Sequence, residues 1–279
     1  MFVEPTRPSL RLRFYVFSTR LLNGFLGLIH AAFVGFWLGI LRHEDLHDLD
    51  AQYYNRQSMY GDDSYLRGGL FRWEREAIER HFSACRSLLV TAAGSGREVL
   101  ALCRMGYTVD AYECNPKLAA HANTLLAESG YEPLVSGCQR DSCPVLTRKY
   151  DGAIVGWASF MLIPGRRRRI EFLTELRKAL DPEAPVLLSF YALESGRRRL
   201  TVARAIGNAI RRLRRAELLE SGDDLAPNYV HRFTRGEIAE TLMAAGFRMS
   251  DFDSTEYGHA VGLAIPATTG DREPEALRR

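Results

Sequence analysis

Residues 87–116, SLLVTAAGSGREVLALCRMGYTVDAYECNP, decide how the rest of the chain is read. The run Leu88-Leu89-Val90 is short and apolar, as a buried strand is. It breaks at Gly94-Ser95-Gly96, where missing side chains let the chain turn tightly and let backbone N–H groups approach a ligand. Val99, Leu100, Leu102 and Cys103 follow at helical spacing, and a second strand-like run ends in Glu113. Strand, glycine turn, helix and strand form the first unit of a nucleotide-binding sheet. Glu113 lies 17 residues beyond Gly96, and a carboxylate ending the second strand can accept hydrogen bonds from both ribose hydroxyls. The glycines alone would fit any strand-to-helix turn. With Glu113 at that spacing they point to a nucleotide-type cofactor.

A dinucleotide fingerprint asks for Gly or Ala three residues after Gly96, where this chain has Val99, which counts against a nicotinamide oxidoreductase. The stretch resembles the class I S-adenosylmethionine-dependent methyltransferases, whose first motif reads roughly acidic-x-Gly-x-Gly-x-Gly and whose second strand ends in Asp or Glu. On that pattern Ala92, Gly94 and Gly96 take the glycine places, and Val90 stands where the family has its acid. The resemblance implies an α/β fold: a mostly parallel, seven-stranded Rossmann-like sheet with helices on both faces and a closing antiparallel strand, here with N-terminal helices added. It implies S-adenosylmethionine as cofactor and S-adenosylhomocysteine as product. Ala92, Gly94, Gly96 and Glu113 would hold the cofactor, with Glu98 contributing where Val90 lacks a carboxylate. An acid in a helix's first turn also has a plainer reading, a favourable charge on the helix dipole.

At 279 residues and 31.5 kDa the chain suits one α/β domain with additions. A net charge of +3 gives no reason to expect nucleic acid as a partner. Lys117, Lys149 and Lys178 are the only lysines, so arginine carries nearly all the positive charge. Cys85, Cys103, Cys114, Cys138 and Cys143 form no CxxC pair and read as free thiols rather than a disulfide framework or zinc site.

Residues 1–20 are basic, and residues 21–41 carry no formal charge and are long enough to cross a bilayer. Gly24, Gly27, Ala31, Gly35 and Gly39 recur at steps of three or four, forming a stripe that permits close helix contact. Arginines ahead of the segment would keep the N-terminus in the cytoplasm, so a simple span would send the cofactor domain away from its methyl donor. Three readings stay open: a buried helix, an in-plane membrane helix and a true anchor. The expected location is cytoplasmic, with an anionic membrane surface or a homodimer engaged through residues 21–41. Residues 43–82 look helical with interruptions; their aromatics either pack on the sheet or, with Trp73 and Glu74, form a lid.

Further along, the resemblance implies that Asp141, after the third strand, meets the adenine amino group; a solvated loop Asp is the alternative. The strand Ala153–Val155 delivers Gly156, Trp157 and Ser159 to the edge where ligands bind, with Gly156 on the cofactor side and Trp157 toward the acceptor. No carboxylate follows this strand, so the reaction reads as metal-free and no metal ligand is assigned. Residues 195–225 make an arginine-rich helical insertion, a cap or a membrane-facing helix. Thr234 and Glu237 suit a capping box. Tyr229 and His231 precede that helix near the expected acceptor site, and a neutral imidazole at His231 is the general-base candidate, with a structural histidine on a loop as the alternative. The expected organisation is a helical extension over 1–84, a methyltransferase domain over 85–265 and a loose tail over 266–279. The expected activity is direct methyl transfer to a small molecule of unknown identity. The alternatives are a non-catalytic binding protein with this fold and a membrane-associated lipid or quinone methyltransferase.

Overall fold

The computed structural model describes residues 9–193 and 198–266, so all but the first residue of the expected tail lies outside the described residues. Two compact units form, one from residues 43–194 and 226–279, the other from 1–42 and 195–225. The break thus falls near residue 42 rather than 84. The reason lies in the core: Trp73, Ile78 and Phe82 are buried in the same apolar cluster as Leu88, Val90 and Leu100.

The larger unit is built on seven strands: β1 (Ser87–Thr91), β2 (Thr108–Glu113), β3 (Val135–Gly137), β4 (Gly152–Val155), β5 (Pro185–Ser189), β6 (Phe247–Asp253) and β7 (His259–Ala264). Their order is β3-β2-β1-β4-β5-β7-β6, with β7 antiparallel to both neighbours. In the centre, Val90 sits opposite Ala111 and Ile154. β4 and β5 are buried at every position, as parallel strands covered on both faces are.

Helices α2 (His43–Arg56), α3 (Asp63–Arg67), α4 (Arg72–His81), α5 (Arg97–Arg104), α6 (Pro116–Glu128), α7 (Arg166–Lys178) and α9 (Arg235–Ala244) complete this unit. Asn115 caps α6 by accepting from the N–H groups of Lys117 and Leu118, with Pro116 at the first helical position. The capping box of α9 forms only by half. Thr234 accepts from the Glu237 N–H, but the Glu237 carboxylate turns to His231 at 2.7 Å.

In the smaller unit, α1 (Leu10–Ile40) packs its last third on α8 (Arg198–Leu213). A Cβ on Gly35 would lie 2.4 Å from the Ala203 carbonyl oxygen, and one on Gly39 2.8 Å from Ile210 Cβ. The small residues Ala31, Gly35 and Gly39 are therefore what lets the two backbones approach. Arg211 Nε and Arg214 Nη1 donate to the Leu38 and Gly39 carbonyls at the end of α1, a favourable place for positive charge. Only this end of α1 is buried. Phe14 and Phe25, earlier on the helix, are 71% and 60% exposed, so within the chain itself only the last third of the helix is covered.

Candidate active site

A cavity of about 360 Å³ opens at the carboxyl edge of the sheet, where the strand order reverses between β1 and β4, the position at which open α/β sheets bind ligands. The turn after β1 lines it with Ala92 and Gly94. Ala92, Gly94 and Gly96 all take left-handed backbone angles, with φ of 53°, 56° and 89°. That conformation is free for glycine but costs an L-residue about 1–2 kcal/mol, so Ala92 holds it under strain. Gly96 does not line the cavity; a Cβ there would stand 3.0 Å from Ala122 Cβ, so its absence lets α5 start against α6. Gly156 likewise supports from behind. Its N–H donates to the Thr91 carbonyl at 2.8 Å, and a Cβ would lie 2.1 Å from the Ala92 oxygen.

Glu113 ends β2 facing this turn, and a backbone N–H donates to each of its carboxylate oxygens, with the Cys114 thiol a further, longer donor to Oε1 at 3.5 Å. Gly94 N–H donates to Oε2 at 2.8 Å and Asn115 N–H to Oε1 at 2.7 Å. Oε2, with a single donor, keeps acceptor capacity for a ligand. Val90 is fully buried in the core beneath, so a carboxylate at that position would have no water or partner. The acid near the turn is Glu98, in the first turn of α5. Its oxygens accept from the Trp157 N–H at 3.2 and 3.3 Å, which ties α5 to the end of β4. Burial, and then the nearby Glu74 carboxylate, push the Glu98 carboxyl well above its ordinary range, while Arg97 works against the shift. Arg97 itself grips Glu74 through two short bonds of 2.6 and 2.7 Å.

The opposite wall is made by α2 and the segment after it. Tyr54, Tyr60 and Tyr65 line the cavity and continue through Phe71 to Trp157, with successive ring centroids 4.9 to 6.4 Å apart. Burial raises the Tyr60 phenol above its ordinary value, so these rings are neutral. The indole Nε1 of Trp157 is buried with no hydrogen-bond partner among the described residues. Trp73 and Glu74, for which the sequence leaves packing on the sheet and a lid both open, are buried and do not line the cavity. Trp73 stacks on Tyr257 at 5.7 Å, and Glu74 is consumed by Arg97.

Asp141 follows β3 with φ of 57° and lines the cavity. Burial would raise its carboxyl, but His43, His47 and Arg140 hold it down at about 2. Beside it Arg140 bonds the buried Asp50, which also takes the Asn228 side-chain amide. Sequence reading missed Asp50, Arg140 and the two histidines. A signal was present for the histidines, since positions i and i+4 share a helix face.

The structure thus brings Ala92, Gly94, Glu98, Glu113, Asp141 and Trp157 to one cavity. It does not bring Tyr229 and His231 there. Both are buried, and the His231 imidazole, 0% exposed, is paired with Glu237. That geometry gives His231 the structural role and not that of a general base at this cavity, because its ring is buried against Glu237 and does not line the cavity.

No family model and no curated protein matches the chain. Its fold, however, is similar to those of solved methyltransferases. A S-adenosylmethionine-dependent methyltransferase from Methanosarcina mazei shares 18% identity over 71% of this chain and 99% of that one, with a TM-score of 0.55. The 1,6-didemethyltoxoflavin-N1-methyltransferase of Burkholderia thailandensis, solved with S-adenosylhomocysteine, shares 15% over 79% and 87%, at 0.54. The sugar N-methyltransferase KedS8 from Streptoalloteichus shares 14% over 78% and 93%, at 0.51. The chain therefore has the fold of the class I S-adenosylmethionine-dependent methyltransferases, as its sequence predicts.

Proposed function

We propose that this protein transfers a methyl group from S-adenosylmethionine to a small-molecule acceptor by direct displacement. One observation carries the reading: Glu113 is fixed by the Gly94 and Asn115 N–H groups at the rim of a cavity lying at the switch point of the sheet. There it can take both ribose hydroxyls. Glu98 and the aromatic rings of Tyr60, Tyr65 and Trp157 suit the cationic end of the donor, through charge and through attraction of a cation to ring faces. The donor's sulfonium is already activated, so the protein chiefly aligns the acceptor and excludes water. No Lewis acid is needed at the reacting carbon, and the acceptor edge Gly156–Ser159 offers none of the carboxylates that would hold one. Calorimetric titration with S-adenosylhomocysteine tests the reading. Saturable binding that Glu113→Ala weakens supports it, whereas no binding by the intact chain would leave a protein with this fold and another function.

Attachment to an anionic membrane on the cytoplasmic side is part of the same reading, and α1 supports it. Leu10, Phe14, Leu21, Leu22, Phe25 and Ile29 are all exposed on a helix about 46 Å long. At about 100° per residue these six fall within an arc of about 120°, one apolar stripe of the kind that a helix lying along a lipid surface presents. Arg11, Arg13 and Arg20 supply the matching positive charge. Flotation with phosphatidylglycerol vesicles checks this; Phe25→Asp combined with Leu22→Asp should leave the protein at the bottom of the gradient, and flotation unaltered by that change would refute it.

A further inference from the structure

Helix α2 opens with His43-Glu44-Asp45-Leu46-His47. Four residues apart, the two imidazoles leave one face of the helix, and their ring centroids are 4.2 Å apart. The loop after β3 brings Asp141 to them. Its Oδ2 lies 3.1 Å from His43 Nε2 and 2.7 Å from His47 Nε2, and the three ligand atoms all fall within 4.8 Å of one another. Around a tetrahedral divalent ion with bonds near 2.1 Å, donor atoms stand roughly 3.4 Å apart, so both imidazole–carboxylate pairs need open by less than about 1 Å to admit one. Two imidazole nitrogens and one carboxylate oxygen suit a borderline ion such as Zn²⁺; Mg²⁺ and Ca²⁺ prefer an all-oxygen set.

The cluster is supported as metal ligands commonly are. Asp141 is only 7% exposed at its side chain, while His43 and His47 are 34% and 26% exposed, so one side is closed and the other open to an incoming ion. Arg140 Nε sits 3.7 Å from the second oxygen of Asp141, and Arg140 is itself anchored by the buried Asp50. A surface histidine pair meeting a stray carboxylate would have no such backing.

We propose that His43, His47 and Asp141 form a binding site for one divalent first-row transition ion of the zinc type, which clasps α2 to the loop after β3. Because His47 and Asp141 also line the cavity, the clasp closes one wall of it. Ion and cavity ligand are then thermodynamically coupled, each altering the affinity of the other by the same factor. The ion is held at the rim and takes no part at the acceptor edge after β4. The site stands on its own ligands and does not depend on the methyl-transfer reading.

Full-length protein without a polyhistidine tag, stripped with a chelator, is titrated with Zn²⁺ by calorimetry, and Co²⁺ is added in parallel to read its visible d–d bands. One ion per chain is expected, with d–d bands of four- or five-coordinate Co²⁺. The double variant His43→Ala/His47→Ala should bind roughly 100-fold more weakly or not at all. Asp141→Asn keeps hydrogen bonding to both rings but removes the anionic ligand, so it should weaken Zn²⁺ while circular dichroism stays native. Zn²⁺ should also raise the melting temperature of the wild type and not of the double variant. No saturable binding by the wild type, or equal stoichiometry and affinity in the double variant, would overturn the proposal. Loss of S-adenosylhomocysteine binding with Zn²⁺ binding intact would overturn the functional reading and leave this site standing.

Discussion

The cavity has two walls built in different ways. On the sheet side, Glu113 is held by the backbone N–H groups of Gly94 and Asn115, and Gly156 is set by contact with the backbone of Thr91 and Ala92. On the helix side, the main contacts are side chain to side chain: Asp50 with Arg140 and Asn228, Asp141 with His43 and His47, tyrosine on tyrosine. Backbone-built features tolerate few residue types but give fixed geometry. Side-chain networks can be rearranged one residue at a time, so the helix wall is where the cavity can change without losing the sheet wall.

Substitutions on the two walls separate these behaviours. The largest effect is expected from Glu74→Ala, which removes both short bonds to the buried Arg97 guanidinium and leaves it the Gly69 carbonyl and Glu98. Breaking such a pair costs about 3–5 kcal/mol, read as a shift in the urea midpoint. Gly156→Ala should follow, at about 3 kcal/mol, because the new Cβ meets a backbone oxygen that cannot swing away. If its urea midpoint is unchanged, the sheet wall is softer than described. Glu113→Ala should weaken S-adenosylhomocysteine by roughly 1.5–3 kcal/mol, the value of a hydrogen bond to a charged group, and should also lower the urea midpoint, because the Gly94 and Asn115 N–H groups lose their acceptor; unchanged affinity would remove Glu113 from the site.

Smaller effects sharpen the comparison. The folded-state pKa of Glu98 is raised, so its contribution is most favourable below the ordinary carboxylate pKa of 4.5 and is lost as pH rises through the folded value. Glu98→Gln should therefore melt higher than the wild type at pH 8, with the difference vanishing below about pH 4, yet bind the cationic donor more weakly. Melting curves that stay parallel across this range would show that Glu98 is not destabilised by its burial. Ala92→Gly, the mildest change, should stabilise by about 1 kcal/mol by releasing the left-handed strain; a loss of stability would mean that the extra freedom of glycine in the unfolded chain outweighs that release.

Much of this was legible in local pattern. The strand–turn–helix–strand unit over residues 87–116, the carboxylate at Glu113, the fold class and the closing antiparallel pair follow from apolar runs and glycines near in sequence. Those features depend on backbone conformation, which neighbouring residues largely decide. Less was visible where partners compete. Glu237 matched a capping box by spacing, yet His231 and Arg169 draw its carboxylate away. His231 looked like a base in a loop, and only packing showed it buried beside Phe233 at 4.5 Å.

By itself, then, the sequence determined the sheet, the glycine turn and the acid that faces it, because each is written in consecutive residues with a fixed period. Tertiary structure alone decided that Glu98 reaches Trp157, that α2 belongs with the sheet and not with the helix before it, and that residues 43, 47 and 141 meet. Those contacts join positions tens of residues apart, and no local spacing encodes them; they exist only once the core has fixed where each backbone segment runs.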